Sequence, residues 1–109
     1  MGVPDTFLYI MINKFERIIN LQYNNEILEF RLDPTGTKNI NLYSIAIQPQ
    51  HRGKNIATSI LDDLISFARI HKYRISLMVA YSDRLSLTEF YSKFGFKTYG
   101  SEMMELLPK

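Results

Sequence analysis

Cysteine is absent from all 109 residues. That excludes disulfides, thiolate zinc sites and a cysteine nucleophile at once. It agrees with a reducing compartment, so the expected location is cytoplasmic, and no metal site is expected. Long hydrophobic runs are also missing. Nothing approaches the roughly 18–20 apolar residues that span a bilayer, so no membrane partner is expected. A secretory leader is not visible: Phe7-Leu8-Tyr9-Ile10-Met11-Ile12 is apolar but has no basic stretch before it and no small-residue cleavage site after it. An excess of one charge is lacking too. The formal net charge is +2, too small by itself to argue for nucleic acid.

What is present is ordinary for a globular protein: 46% hydrophobic and 22% charged residues. The length suits one domain with one core, and residues 1–109 contain no linker, internal repeat or low-complexity tract at which to divide it. The charge is unevenly spread. Residues 1–50 carry four Lys/Arg against five Asp/Glu, whereas residues 51–109 carry nine against six. His51, Arg52 and Lys54 fall within a single short turn, which suits a small anionic ligand better than a long polyanion. Met1-Gly2-Val3-Pro4-Asp5-Thr6 fits the loose N-myristoylation pattern, a match short enough to arise often by chance.

That turn is the most informative stretch. The apolar run Ile45-Ala46-Ile47 ends at Pro49, a basic glycine-containing segment follows, and a helical pattern begins at once. Strand, tight turn and helix in that order present free backbone amides to a phosphate. Gly53 lets a ligand approach without a Cβ in the way. Asn55 is among the few non-glycine residues comfortable at positive φ. Ala57 keeps the first helical turn small. The amides of residues 53 to 58 are then expected to point outward with the positive helix end behind them. The plain alternative is a strand–helix turn with solvated charges. It is not a nucleotide P-loop, since G-x-x-x-x-G-K-[ST] is absent, and one glycine does not make a dinucleotide fingerprint.

Around this turn, β-forming residues predict strands at Phe7–Ile12 and Glu16–Tyr23. A hairpin turn is expected at Asn24-Asn25, and a returning strand over Glu26–Leu32. One amphipathic helix from Ile18/Ile19 to Leu32 is the alternative, opposed by the two asparagines. Asp33-Pro34-Thr35-Gly36 reads as a turn and Asn39–Ile47 as a strand. The longest helix is expected from Lys54 to about Lys72, with Ile56, Ile60, Leu64 and Ala68 on one face. Ile75–Tyr81 follows as a strand. Ser82-Asp83 resembles an N-cap, and Leu87, Phe90, Tyr91 and Phe94 form the apolar side of a second helix closed by Gly95. Strands are expected at Phe96–Tyr99 and Met103–Leu107. The fold class is thus α/β in the broad sense (α+β): a mixed sheet with helices on it, and a parallel crossover joining Asn39–Ile47 to Ile75–Tyr81.

The phosphate turn and the later segment Phe90-Tyr91-Ser92-Lys93-Phe94-Gly95-Phe96, together and in this order, closely resemble the GNAT acetyltransferases. In that family a strand ends in a V-x-P-like step. A Q/R-x-x-G-x-G/A turn, matched here by Arg52-Gly53-Lys54-Asn55-Ile56-Ala57, receives the pyrophosphate of acetyl-coenzyme A. An F/Y-Y-x-x-x-G-F segment comes later, matched by Phe90 to Phe96. The resemblance covers roughly residues 39–107 and implies a mostly antiparallel sheet of about seven strands with two main helices. It implies that main-chain groups of Ile45 and Ile47 hold the pantetheine arm between two splayed strands. Amides of Arg52, Gly53, Lys54, Asn55, Ile56 and Ala57, with Thr58, would hold the pyrophosphate. Tyr91 would sit at the thioester sulfur and protonate the departing thiolate; its plain alternative is a packing role between Phe90 and Phe94.

There are departures. Asn55 stands for the middle glycine. Arg84 stands where the family often has a coenzyme-contacting asparagine. Tyr43 occupies the strand position that often carries an acid, and Glu26 and Glu29 are the neighbouring candidates for a base. The two helices that usually follow the family's first strand are expected to be missing, which would expose the acceptor side and favour a macromolecular acceptor or a homodimer. The leading expectation is an acetyl-coenzyme A–dependent N-acetyltransferase acting on a primary amine of a protein or small molecule. The alternative is a degenerate module that binds coenzyme A or a protein partner without turnover. No recognised nucleic-acid motif accompanies the basic turn.

Overall fold

Leu8, Ile12, Phe15 and Ile19 recur at alternating four- and three-residue intervals, and they form the inner stripe of a helix rather than one face of two strands. In the computed structural model, which describes residues 6–79 and 84–108, Thr6–Gln22 is a single helix, α1, with Leu8, Ile12 and Ile19 buried. The expected strands at Phe7–Ile12 and Glu16–Tyr23 and the hairpin between Glu16 and Leu32 are therefore corrected. The β-formers in each short window are real, but the helical period over 17 residues buries more of them at once. Asn24-Asn25 does turn the chain, from helix into strand. Met1–Asp5, with the Gly2 pattern, and Ala80–Asp83, with the Ser82-Asp83 cap, lie outside the described residues.

Strand β1 (Ile27–Thr35) comes next, then β2 (Asn39–Ile47), a 3-10 turn (Pro49–His51), α2 (Ile56–His71) and β3 (Arg74–Met78). The chain continues through α3 (Arg84–Ser92), β4 (Lys97–Tyr99) and β5 (Met103–Leu106). The sheet order is β1-β2-β3-β5-β4. Only the β2–β3 pair is parallel, as a crossover through α2 requires. Five strands and three helices are described where about seven and two were expected. Two expected strands became α1. The turn expected at Asp33–Gly36 is also displaced: β1 runs on to Thr35, with Pro34 opposite Ile40, and the chain turns at residues 36–38. Pro34 is tolerated because β1 is an edge strand, whose outer side needs no ladder amide.

The core lies between sheet and helices. Ile40, Leu42, Ile75, Leu77, Met104 and Leu106 are buried along the sheet, against Ile60, Leu61 and Leu64 of α2. Each such aliphatic side chain stabilises the fold by about 1.5–3 kcal/mol. Phe15 of α1 stacks on Phe67 of α2 at 5.0 Å and meets Phe30 of β1 edge-on at 6.3 Å, so α1 and α2 share a layer. The shortest molecular extent, 22 Å, is that of two layers about 10 Å apart. α1 also covers the open edge of β1. Glu16 Oε2 accepts the Leu32 amide at 2.7 Å, and Asn20 Nδ2 donates to the Phe30 carbonyl at 3.0 Å. Edge groups that would template another strand are thereby satisfied.

Two features of β2 set the shape of the sheet between β2 and β3. Its start is fastened to β3 by side chains: Arg74 donates to Asn39 Oδ1 at 2.7 Å, and Asn39 donates to the buried Ser76 hydroxyl at 3.0 Å. Its middle carries a bulge. Arg31 pairs with Ser44 but Leu32 pairs with Leu42, leaving Tyr43 over. The β2–β3 ladder ends at Leu42 opposite Leu77, beside that extra residue. A bulge bends its strand and increases the local twist. Tyr43–Ile47 therefore leaves β3 while staying paired to β1, and a V opens between the two parallel strands.

Candidate active site

Within the V, backbone direction follows from alternation. The Gln48 amide donates to the Glu26 carbonyl at 2.9 Å, so it faces β1. The main-chain groups of Ile47 and Ile45, one and three residues earlier, then face the opening. The Ile47 carbonyl is already engaged, accepting from Arg52 Nε at 3.1 Å. A cavity of about 230 Å³ fills the V. Tyr43, Ser44 and Ile45 form one wall, Met78, Leu87 and Tyr91 the other, with Leu42 and Leu77 between them.

At the end of β2 the chain makes the expected turn. Gly53 has φ +84° and Asn55 has φ 61°, ψ 25°, so the asparagine does adopt the left-handed conformation read from its side chain. Asn55 also caps α2, and its carbonyl accepts the Ser59 amide at 3.0 Å. That is the first amide after the turn to find a protein acceptor. Among the described residues, the amides of residues 53 to 58 donate to no protein group, and the positive end of a 16-residue helix stands behind them. A hollow of about 260 Å³ lies over this turn, floored by Ile47, Ile56 and Phe90 and rimmed by Arg52, Gly53, Asn55, Ala57 and Thr58. His51 also lines it, and Lys54, which does not, has its Nζ 3.2 Å from His51 Nδ1. The helix expected from Lys54 to Lys72 begins at Ile56 because Asn55 is its left-handed cap.

Helix α3 connects hollow and V. Phe90 reaches the hollow and the next residue, Tyr91, reaches the V. Tyr91 is 7% exposed and packs edge-on against Phe90 at 5.2 Å and Phe96 at 5.6 Å. Burial pushes its phenol up to about 12, so the hydroxyl stays protonated at any physiological pH. Gly95, at φ +98°, ends the helix. The Phe96 amide turns back to the Tyr91 carbonyl at 3.3 Å, which holds the aromatic pair in place. Arg84 opens α3, and its side chain is outside the described residues.

The structure thus brings Ile47 and the 52–58 turn to the hollow and Ile45 and Tyr91 to the V, two depressions bridged by the adjacent residues Phe90 and Tyr91, and leaves the Lys54 side chain at the margin of the first. Ser44 and Phe90 were not singled out as site residues. Phe90 reads as core from its helical spacing. Ser44 would have been found only by locating the bulge, which has no composition signal in this strand.

The acetyltransferase (GNAT) domain family matches residues 11–105, and the chain belongs to that family. Rat N-acetyltransferase 8 is 28% identical over 74 residues, 68% of this chain and 33% of the relative; the chain thus spans about a third of that relative's length. The fold is shared with solved structures. Ard1 from Thermoplasma volcanium superposes with TM-score 0.63 at 16% identity, covering 73% of this chain and 62% of that one. The PaiA N-acetyltransferase from Thermoplasma acidophilum, solved in complex with coenzyme A, gives 0.59 at 22% identity over 83% and 66%. No described helix is long and apolar enough to cross a membrane.

Proposed function

We propose that this chain is an N-acetyltransferase that moves the acetyl group of acetyl-coenzyme A to a primary amine by direct attack. The observation that carries the reading is the row of unpartnered amides at residues 53–58, set at the mouth of a V that opens onto Tyr91. The family membership and the coenzyme A complex of the PaiA protein support it. In this reading the pyrophosphate lies in the hollow over Gly53–Thr58, met by main-chain amides, with Arg52 adding charge at the rim and Lys54 just outside it. The pantetheine arm runs along the free edge of β2 at Ile45, and Arg52 gives up the Ile47 carbonyl as it swings to the phosphates. Arg84, at the first turn of α3, is the remaining coenzyme-binding candidate. The acceptor is an amine of a protein or a small molecule.

The state of Tyr91 shapes the chemistry. A phenol at about 12 facing a thiolate of reference pKa about 8.5 makes complete proton transfer uphill by roughly 5 kcal/mol. Tyr91 therefore does not hand over its proton ahead of bond breaking. It donates a hydrogen bond that strengthens as charge builds on sulfur, and transfer accompanies expulsion of the thiolate.

Calorimetric titration with acetyl-coenzyme A and thiol release with an amine panel test the reading. No binding at millimolar coenzyme would end it. Binding without turnover of any amine would favour the alternative of a coenzyme-binding module. Tyr91→Phe is expected to lower kcat about 100-fold while coenzyme affinity stays within a factor of about three; an unchanged kcat removes Tyr91 from the chemistry.

A further inference from the structure

A cationic amine must lose a proton before its nitrogen can attack, and Tyr91, the proton donor in this reading, cannot take it. Among the described residues, one carboxylate is hydrogen-bonded to a side chain lining the V: the Ser44 hydroxyl donates to Glu29 Oε1 at 2.7 Å. The other bonded carboxylates are engaged elsewhere. Glu16 accepts the Leu32 amide, Glu105 pairs with Arg74 at 3.0 Å, and Asp33 lies 3.8 Å from Arg31. The bulge explains why Ser44 is placed so. Because Tyr43 is the extra residue, Ser44 falls opposite Arg31 on the same face of the sheet as Glu29, yet it also borders the opening that the bulge creates. Its proton points to the carboxylate, so its oxygen lone pairs are available to a donor within the cavity.

We propose that Glu29, acting through the Ser44 hydroxyl, is the proton sink for the acceptor amine and thereby selects basic, cationic amines. The proposal rests on the acetyltransferase reading. The ammonium nitrogen first gives a proton to Ser44 Oγ as the Ser44 proton passes to Glu29; its freed lone pair then attacks the thioester carbonyl carbon and a C–N bond forms. The nitrogen, made acidic by the new bond, sheds its second proton to solvent. The C–S bond breaks and sulfur takes the Tyr91 phenolic proton. Solvent removes the proton from Glu29 and returns one to Tyr91. Ammonium and acetyl-coenzyme A leave as amide, coenzyme A thiol and one proton, with no other reactant. Ser44 touches the substrate; Glu29 is a positioning and relay residue behind it.

The test compares two small acceptors with the whole chain. Butylamine is strongly basic and cationic near neutral pH; hydroxylamine is weakly basic and largely neutral there. Glu29→Gln keeps an acceptor for the Ser44 hydroxyl but cannot take its proton. It is expected to lower kcat/KM for butylamine about 100-fold and for hydroxylamine less than about threefold. Ser44→Ala should show the same split. The double variant should be no worse than either single one, because the two act as a unit. Glu29→Asp should recover part of the butylamine rate. Equal losses for both amines, no loss, or losses that multiply in the double variant would overturn the proposal. So would coenzyme binding without turnover of butylamine by the unmodified chain, since a proton sink at this place must serve a small cationic amine. Failure of the chain to bind acetyl-coenzyme A is a separate outcome, read by calorimetry, and removes the acetyltransferase reading itself.

Discussion

Asn55→Val is the sharpest perturbation of the phosphate turn. Asn55 holds φ 61°, ψ 25°, in the left-handed region where an ordinary side chain costs roughly 1–2 kcal/mol and a β-branched one sits at the upper end. Asparagine escapes most of that cost. With valine the strain has two outlets. If packing of Ile56 and Ile60 holds the backbone, the strain appears as lost stability of about 1–2 kcal/mol, read as an earlier urea midpoint. If the turn relaxes instead, the amides of residues 53–58 no longer converge. Restoring them on binding then weakens coenzyme A affinity by the same energy, about 5–30-fold. The two losses should therefore sum to about 1–2 kcal/mol, whatever their division. Calorimetric titration of coenzyme A with parallel urea unfolding measures both. Asn55→Gly, which adopts this conformation freely, should keep the affinity within about twofold. Wild-type affinity together with wild-type stability in Asn55→Val would refute the need for a left-handed residue here.

Two further outcomes concern the frame. Gly95 has φ +98°, and a Cβ placed there would lie 3.3 Å from Leu106 Cδ1; Gly95→Ala should cost about 1–2 kcal/mol in urea unfolding, and no loss would mean that the α3 terminus is not held as described. Glu16→Ala strips the Leu32 amide of its charged acceptor at 2.7 Å and should cost about 1–3 kcal/mol. It should also raise aggregation through the uncovered edge of β1, followed by light scattering.

Much of the site was legible because its residues have narrow conformational or chemical roles. Gly53 announces a close approach, Asn55 announces positive φ, Pro49 ends a ladder, and Gly95 ends a helix. Each is a local property of one side chain, so tertiary context could not reverse it. The front of the chain misled for the opposite reason. Phe7–Ile12 and Glu16–Tyr23 suit a strand in short windows, and only the longer period through Leu8, Ile12, Phe15 and Ile19 separates helix from strand. Pro34 misled because a turn former is also acceptable on an edge strand, and which strand lies at the edge is a property of the whole sheet. The bulge at Tyr43 was illegible because it is set by pairing with β1. The V, its wall at Ser44 and the Glu29 contact all stem from that one extra residue.

The central claim is that coenzyme A lies with its pyrophosphate on the 53–58 amides and its arm along the free edge of β2. A titration of ¹⁵N-labelled protein with coenzyme A, followed amide by amide, tests it most directly. Binding in this mode predicts saturable shifts that are largest at Gly53–Thr58, with a second group at Tyr43–Ile47 and a smaller response at Tyr91. No saturable shift at millimolar coenzyme A, or shifts centred away from the turn and the V, would contradict it.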